Sequence, residues 1–272
     1  MGFRPPSSGG SGSASWGSIA GTLSAQTDLQ TALDAKQDSW SWSFAKNPPP
    51  DFDHFHSNMP NKLAWQAQGT TAIWSVDNAN PVANSKLHPG QFKLTLNTAT
   101  TGHASYSLKS ANAMMTLGGM RVRQIWVIKA DAPDVSSSYD LYLGNHDGVG
   151  ATSTVPQNGV YVGHELAISP NWLLFSANGG SRSTVDSGIP VDGTKWVTIG
   201  FELNEVGTSL QLYAASESPN VVAVGSPITT NINTTTVVTT CWKVRKPATM
   251  AVTKTLSFDL FVQKLDGTFN TF

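Results

Sequence analysis

The segment VTIGFELNEVGTSLQLYAA (197–215) decides the fold class. Val197, Ile199, Phe201 and Leu203 alternate with Thr198, Gly200 and Glu202, a period of two that sets the apolar group on one face of an extended chain. A loop containing Gly207 follows, after which Leu210, Leu212 and Ala214 resume the alternation, so the pair reads as a β-hairpin. The same signal extends outward along the chain. Phe92, Leu94 and Leu96 alternate with Lys93 and Thr95, and Tyr139, Leu141 and Leu143 alternate again. Leu256, Phe258, Leu260 and Val262 are expected on one face of a last strand. Ile125 to Ile128 are apolar at successive positions, so both faces of that strand should be covered. From about Asp51 onward turn signals recur at short intervals with no helical period between them. That pattern predicts a mostly β, antiparallel sandwich.

Composition narrows the function classes. Charged residues make up 13% of the 272 residues, against roughly 25% in soluble domains. The net charge is −1 and the 17 basic residues form no block, so attraction to nucleic acid or anionic lipid is not encoded. No apolar run approaches a membrane span and no secretory h-region is present. The expectation is release by assembly into a particle and lysis. The single cysteine, Cys241, lies in the β-branched run TTTVVTTCW and reads as a buried, inert thiol.

The N-terminal region is organised differently. Residues 1–15 contain RPPSSGGSGSAS, a flexible anchor peptide. Residues 16–50 hold a helix and a linker, the latter ending in Pro48, Pro49 and Pro50. Residues 51–272 form the β domain. Thr27 with Gln30 fits a capping box, and Asp28 suits the positive helix end. Leu29 and Leu33 are i,i+4 neighbours with Ala32 beside them, a narrow apolar stripe. A helix of about ten residues falls short of the roughly 12–15 needed for marginal stability in water. Its stripe must be buried, either on the β domain or in a self-association seam.

WGSIAGTLSAQTDLQTALDAKQD (16–38) resembles a segment of tailed-bacteriophage fibre and tail proteins, written W-G-x-I-x-G-x-L-x-x-Q-x-D-L-x-x-A-L-x-x-K. Trp16, Gly17, Ile19, Gly21, Leu23, Gln26, Asp28, Leu29, Ala32, Leu33 and Lys36 match. The resemblance implies a short element at a trimer axis, with Ile19, Leu23, Leu29, Ala32 and Leu33 in the seam. Residues 51–266 resemble a second phage module, a concanavalin-like jelly roll. The matching landmarks are HPGQFKLTLNTATTGHASYSL (88–108), NGVYVGHE (158–165), NWLLFSANGG (171–180), VDSGIPVDGTKWVTIGFELN (185–204), SLQLYAA (209–215) and TLSFDLFVQKL (255–265). The run TTTVVTTCWKVRKPATM departs from that module, so functions carried by its loop do not transfer.

Candidate chemistry is sparse. DFDHFHSN (51–58) offers Asp51, Asp53, His54 and His56, but in an extended segment the two His share one face and the two Asp the other. They do not converge on one ion, and no metal or cofactor is expected. YLGNHDGVG (142–150) gathers Asn145, His146 and Asp147, which can contact sugar hydroxyls or lend oxygens to Ca²⁺, or simply form a polar turn. NWLLFSANGGSRS (171–183) combines Trp172, Asn178 and Arg182, a plausible glycan-contact set, although Trp172 also reads as core. The four Glu residues, Glu165, Glu202, Glu205 and Glu217, show no catalytic motif, and no hydrolase signature is present. An enzyme is not expected.

The resulting expectation is a homotrimeric phage virion protein. Its N-terminal peptide would dock on another virion protein, and its sandwich would attach to host-surface polysaccharide. The alternatives are a purely structural capsid decoration or head fibre, and a polysaccharide depolymerase.

Overall fold

Alternating apolar and polar side chains organise the long strands of the protein. The computed structural model describes residues 52–54, 65–69, 74–77, 92–98, 101–108, 114–148, 155–218 and 220–267, all within the unit Trp42–Phe272. The first strands in chain order are β1 (Phe52–His54), β2 (Trp65–Gly69), β3 (Trp74–Asp77), β4 (Phe92–Leu96), β5 (Gly102–Leu108), β6 (Met114–Met115), β7 (Met120–Ala130) and β8 (Asp140–His146). They are followed by β9 (Gly159–Glu165), β10 (Asn171–Asn178), β11 (Ser181–Pro190), β12 (Val197–Leu203), β13 (Leu210–Ser216), β14 (Val222–Ile228), β15 (Val238–Lys246) and β16 (Lys254–Gly267). No helix occurs among the described residues. The expected N-terminal helix, with Ile19, Leu23, Leu29, Ala32 and Leu33, lies outside them.

Two antiparallel sheets result. The first runs β14-β13-β12-β7-β16-β4-β3, with β1 also on β16. The second runs β11-β10-β9-β8-β15-β5-β2, with β6 also on β15. The hairpin read from 197–215 is β12/β13, with Leu203 opposite Leu210. Asn204 closes its turn: the Gly207 N–H donates to its carbonyl at 2.9 Å and the Thr208 N–H to its Oδ1 at 2.8 Å. Gly207 sits at φ 75°, left-handed backbone that a residue without a Cβ adopts at no steric cost.

The facing sides of the two sheets make the core. Val122, Trp126 and Ile128 on β7 and Val197, Ile199, Phe201 and Leu203 on β12 meet Leu141, Leu143, Val160, Val162, Leu174, Trp242 and Val244 from the second sheet. Full burial of each such side chain stabilises the fold by about 1.5–3 kcal/mol. Ring contacts knit this core: Trp126 lies 4.2 Å from Phe261 within the first sheet, and Trp242 lies 4.3 Å from Phe258 across the two sheets, centroid to centroid. Ile125 to Ile128 are all buried, as their unbroken apolar run predicts.

One strand departs from its expected parity. A bulge between Phe258 and Leu260 shifts the β16 register, so Phe258 opposes Ile128 while Leu260 opposes Val127 and Phe261 opposes Trp126. The extra residue turns the rest of the strand over. Phe261 enters the core together with Phe258, although an unbroken period of two would send them to opposite faces.

Candidate functional site

The six residues singled out for glycan contact do not converge. Asn145 points between the sheets and is fully buried. Its Oδ1 accepts from Gln124 Nε2 of β7 and from Thr240 Oγ1 of β15, both at 2.8 Å. Gln124 Nε2 also donates to Gln263 Oε1 of β16 at 2.6 Å. Asn145 is therefore part of an amide cluster that joins the sheets inside the core, and the expectation that it meets a ligand is corrected.

His146, the next residue, faces the other side of the second sheet and is also fully buried. The Gly148 N–H donates to its Nδ1 at 3.0 Å, and Cys241 Sγ lies 3.2 Å from its Nε2. Burial, and after it the charge of Lys243, pushes the imidazole down to about 3. Burial pushes the Cys241 thiol up. Both groups are neutral at ordinary pH, so Cys241 is the inert thiol its context predicts, and His146 is a packing residue and not a surface contact.

The same outward face carries a ladder of rings. Tyr142 stands edge-on to Tyr161 at 5.6 Å, and Tyr161 stacks on Phe175 at 5.1 Å. Glycines make room for them: Gly144 opposes Tyr161, and Gly163 opposes both Tyr142 and Leu173. A Cβ on Gly163 would lie 1.8 Å from the Leu141 carbonyl oxygen. Arg182 crosses this face with its guanidinium 5.4 Å from the Phe175 centroid and pairs with Glu165. Asp140, directly opposite Glu165, takes Arg245, whose Nε donates at 2.7 Å. Burial raises the Asp140 carboxyl against the opposing pull of Arg245. Asp140 and Glu165 are each 4% exposed and each is held by its own guanidinium. Arg182 is thus committed to an ion pair.

Trp172 is 1% exposed and packs in the main core. It cannot stack on a sugar, which corrects that expectation in favour of the core alternative.

Asn178 and Asp147 are bridged, at one end of the sandwich, through Asn158 and Asn233. Asn178, Gly179, Gly180 and Ser181 form a two-residue hairpin turn with Gly179 at φ 57° and Gly180 at φ 87°, the geometry for which glycines are preferred. Asp147 Oδ1 accepts from the backbone N–H groups of Gln157 and Asn158 at 2.9 and 3.1 Å. Its Oδ2 accepts from Asn158 Nδ2 at 2.7 Å. Asn158 Oδ1 in turn accepts from the Gly179 N–H at 2.9 Å. Asn233 Nδ2 approaches three acceptors: Asn158 Oδ1 at 2.8 Å, Asn178 Oδ1 at 3.0 Å and Thr236 Oγ1 at 2.9 Å. An amide nitrogen has two hydrogens, so at least one of these oxygens keeps capacity for a ligand hydroxyl. Asn178 is exposed, and its own Nδ2 meets no acceptor among the described residues.

Asn158, Asn233 and Thr236 were not legible as site residues. Asn158 sits in a strand landmark, and Asn233 and Thr236 lie in the Thr-rich run before β15. Among the described residues no group of three or more His, Cys, Asp or Glu side chains is placed to hold a metal. Asp53 and His54 lie on β1; Asp51 and His56 lie outside the described residues.

No family model and no curated protein sequence matches the chain. Solved structures do resemble it. Arcelin-5, a lectin-like defence protein from Phaseolus vulgaris, is 10% identical with a TM-score of 0.50, over 80% of this chain and 98% of that one. The carbohydrate recognition domain of Emp47p is 10% identical with a TM-score of 0.47, over 80% and 95%. A structure of botulinum neurotoxin type C, whose cell entry depends on interaction with two ganglioside molecules, is 12% identical with a TM-score of 0.47, over 84% and 50%. The two antiparallel sheets form a sandwich with the fold of arcelin-5.

Proposed function

We propose that this chain is a trimeric bacteriophage fibre or tail-associated protein whose sandwich binds host-surface glycan at the Asn178 end and carries out no catalysis. The observation that carries the glycan reading is the polar loop cluster of Asp147, Asn158, Asn178 and Asn233, with an exposed amide donor beside an under-supplied set of acceptors. Sugar hydroxyls both donate and accept, so they complement such a surface. The fold supports the same reading, since arcelin-5 is described as lectin-like. The phage and trimer parts rest on the 16–38 segment. Against catalysis stands the pairing of Asp140 and Glu165 with Arg245 and Arg182, which leaves neither carboxylate free to act on a substrate.

The test is glycan-array binding by the full chain, with its mass measured by light scattering. Binding should weaken at least about tenfold in Asn178→Ala, the scale of one hydrogen-bonded contact, with an unchanged melting temperature and a mass of three chains. A trimer that binds no glycan would support the capsid-decoration alternative instead. Release of sugar from host envelopes would identify a depolymerase.

A further inference from the structure

The polar surface at Asn178 continues along the edge of the second sheet. β11 is the outermost strand there; Asn178 opposes Ser181, and Ser176 opposes Ser183. Two residues of extended chain cover about 6.6 Å, so Ser183 lies one such step beyond the turn, close to the length of one pyranose unit in a linked chain. The connection between β14 and β15 meets β11 at this step. Ser176 Oγ donates to the Thr230 carbonyl at 2.9 Å, and Ser183 Oγ shares a hydrogen bond with Thr230 Oγ1 at 2.8 Å. Asn231 Nδ2 donates to Ser183 Oγ at 2.9 Å. Two residues further on, the same connection reaches Asn178 through Asn233.

Hydrogen accounting leaves this second cluster with capacity to spare. The Ser183 and Thr230 hydroxyls share one bond, which uses one of their two hydrogens whichever of them donates. The other hydroxyl hydrogen, the second Nδ2 hydrogen of Asn231 and Asn231 Oδ1 meet no partner among the described residues. Thr230 is exposed, and Ser183 and Asn231 are partly so. Asn231 is held at φ 55°, left-handed backbone that Asn tolerates better than most residues. Donors and an acceptor are thus fixed in place before any ligand arrives, which lowers the ordering cost of binding.

We propose that Ser183, Thr230 and Asn231 form a second saccharide subsite beside Asn178, so that the protein binds a linked chain of neutral hexopyranoses and not a single terminal sugar. The inference rests on the glycan reading of the Asn178 end. One unit contacts Asn178; the next accepts the leftover hydroxyl hydrogen and donates to Asn231 Oδ1. The three side chains are uncharged and offer no cation to a uronate or phosphate, which favours the neutral class.

Calorimetric titration of the full chain compares methyl α-D-glucopyranoside with maltotriose, methyl β-D-glucopyranoside with cellotriose, and methyl α-D-mannopyranoside with an α-linked mannotriose. In at least one series the trisaccharide should bind about tenfold more tightly than its monosaccharide, the scale of one added hydrogen-bonded contact. That gain should vanish in Asn231→Gly, which adopts φ 55° without strain, and in Thr230→Val, with unchanged melting temperatures. In ¹⁵N-labelled protein the same trisaccharide should shift the side-chain amide signals of both Asn178 and Asn231, each identified by its loss in Asn178→Ala or Asn231→Gly. A trisaccharide that gains nothing over its monosaccharide, or a gain that survives both variants, overturns the proposal and leaves the Asn178 reading standing. Absence of binding in every series overturns both.

Discussion

Acid should destabilise this sandwich through His146. In the folded protein its Nδ1 accepts the Gly148 N–H, so the neutral ring carries its hydrogen on Nε2, facing Cys241. Protonation would add a hydrogen to Nδ1 where that N–H already points. Burial is the larger reason, with the Lys243 charge next, that the ring's pKa drops from 6.5 to about 3. Between these values the unfolded chain holds a proton that the folded chain does not. Stability from this group is therefore fully present above the unfolded value and is lost as pH falls through 6.5 toward 3. Each pH unit below the unfolded pKa is worth about 1.4 kcal/mol, so going from about pH 7 to about pH 4.5 removes ~2–3 kcal/mol. The informative variant is His146→Asn, whose Oδ1 keeps an acceptor for Gly148 and does not titrate. Urea unfolding of both proteins at the two pH values gives a double difference in which the carboxylates and His164 cancel. The variant should be less stable near neutrality, because it loses the edge contact with Tyr161 at 5.4 Å. It should nevertheless lose ~2–3 kcal/mol less than the parent on acidification. An equal loss in the two proteins would refute the reasoning.

Two further outcomes follow from the core. Gln124→Met leaves Asn145 Oδ1 and Gln263 Oε1 with the single Thr240 hydroxyl hydrogen between them, and should cost about 1–3 kcal/mol in urea unfolding. Trp172→Ala should cost about 3–5 kcal/mol, whereas Trp172→Phe should cost far less, because the buried indole N–H has no hydrogen-bond partner among the described residues to lose.

The fold was legible because burial of one face imposes a period of two, and that period survives in the sequence. The β12/β13 hairpin and the doubly covered Ile125 to Ile128 strand follow from it directly. The far half of β16 does not, because a one-residue bulge leaves no compositional mark while inverting everything after it. The candidate site was legible only at Asn178 and Asp147. Trp172 looked like a ligand platform because it stands near a Gly-Gly turn. Strand parity had already assigned it to the same face as Leu174, and that face is the core.

The run Asn145-His146-Asp147 shows why residues that look like a site in sequence separate in this architecture. Strand geometry sends neighbours to opposite faces, so Asn145 enters the core amide cluster and His146 the outward ring layer. Only Asp147, one residue beyond the end of β8, escapes the alternation and reaches the loops. Convergence in a sandwich is therefore expected among residues that share a strand end, however far apart they lie in the chain. Asp147, Asn158, Asn178 and Asn233 meet that condition at one end of the sandwich. That set joins four separate segments through hydrogen bonds, and no contiguous stretch of the sequence could have displayed it.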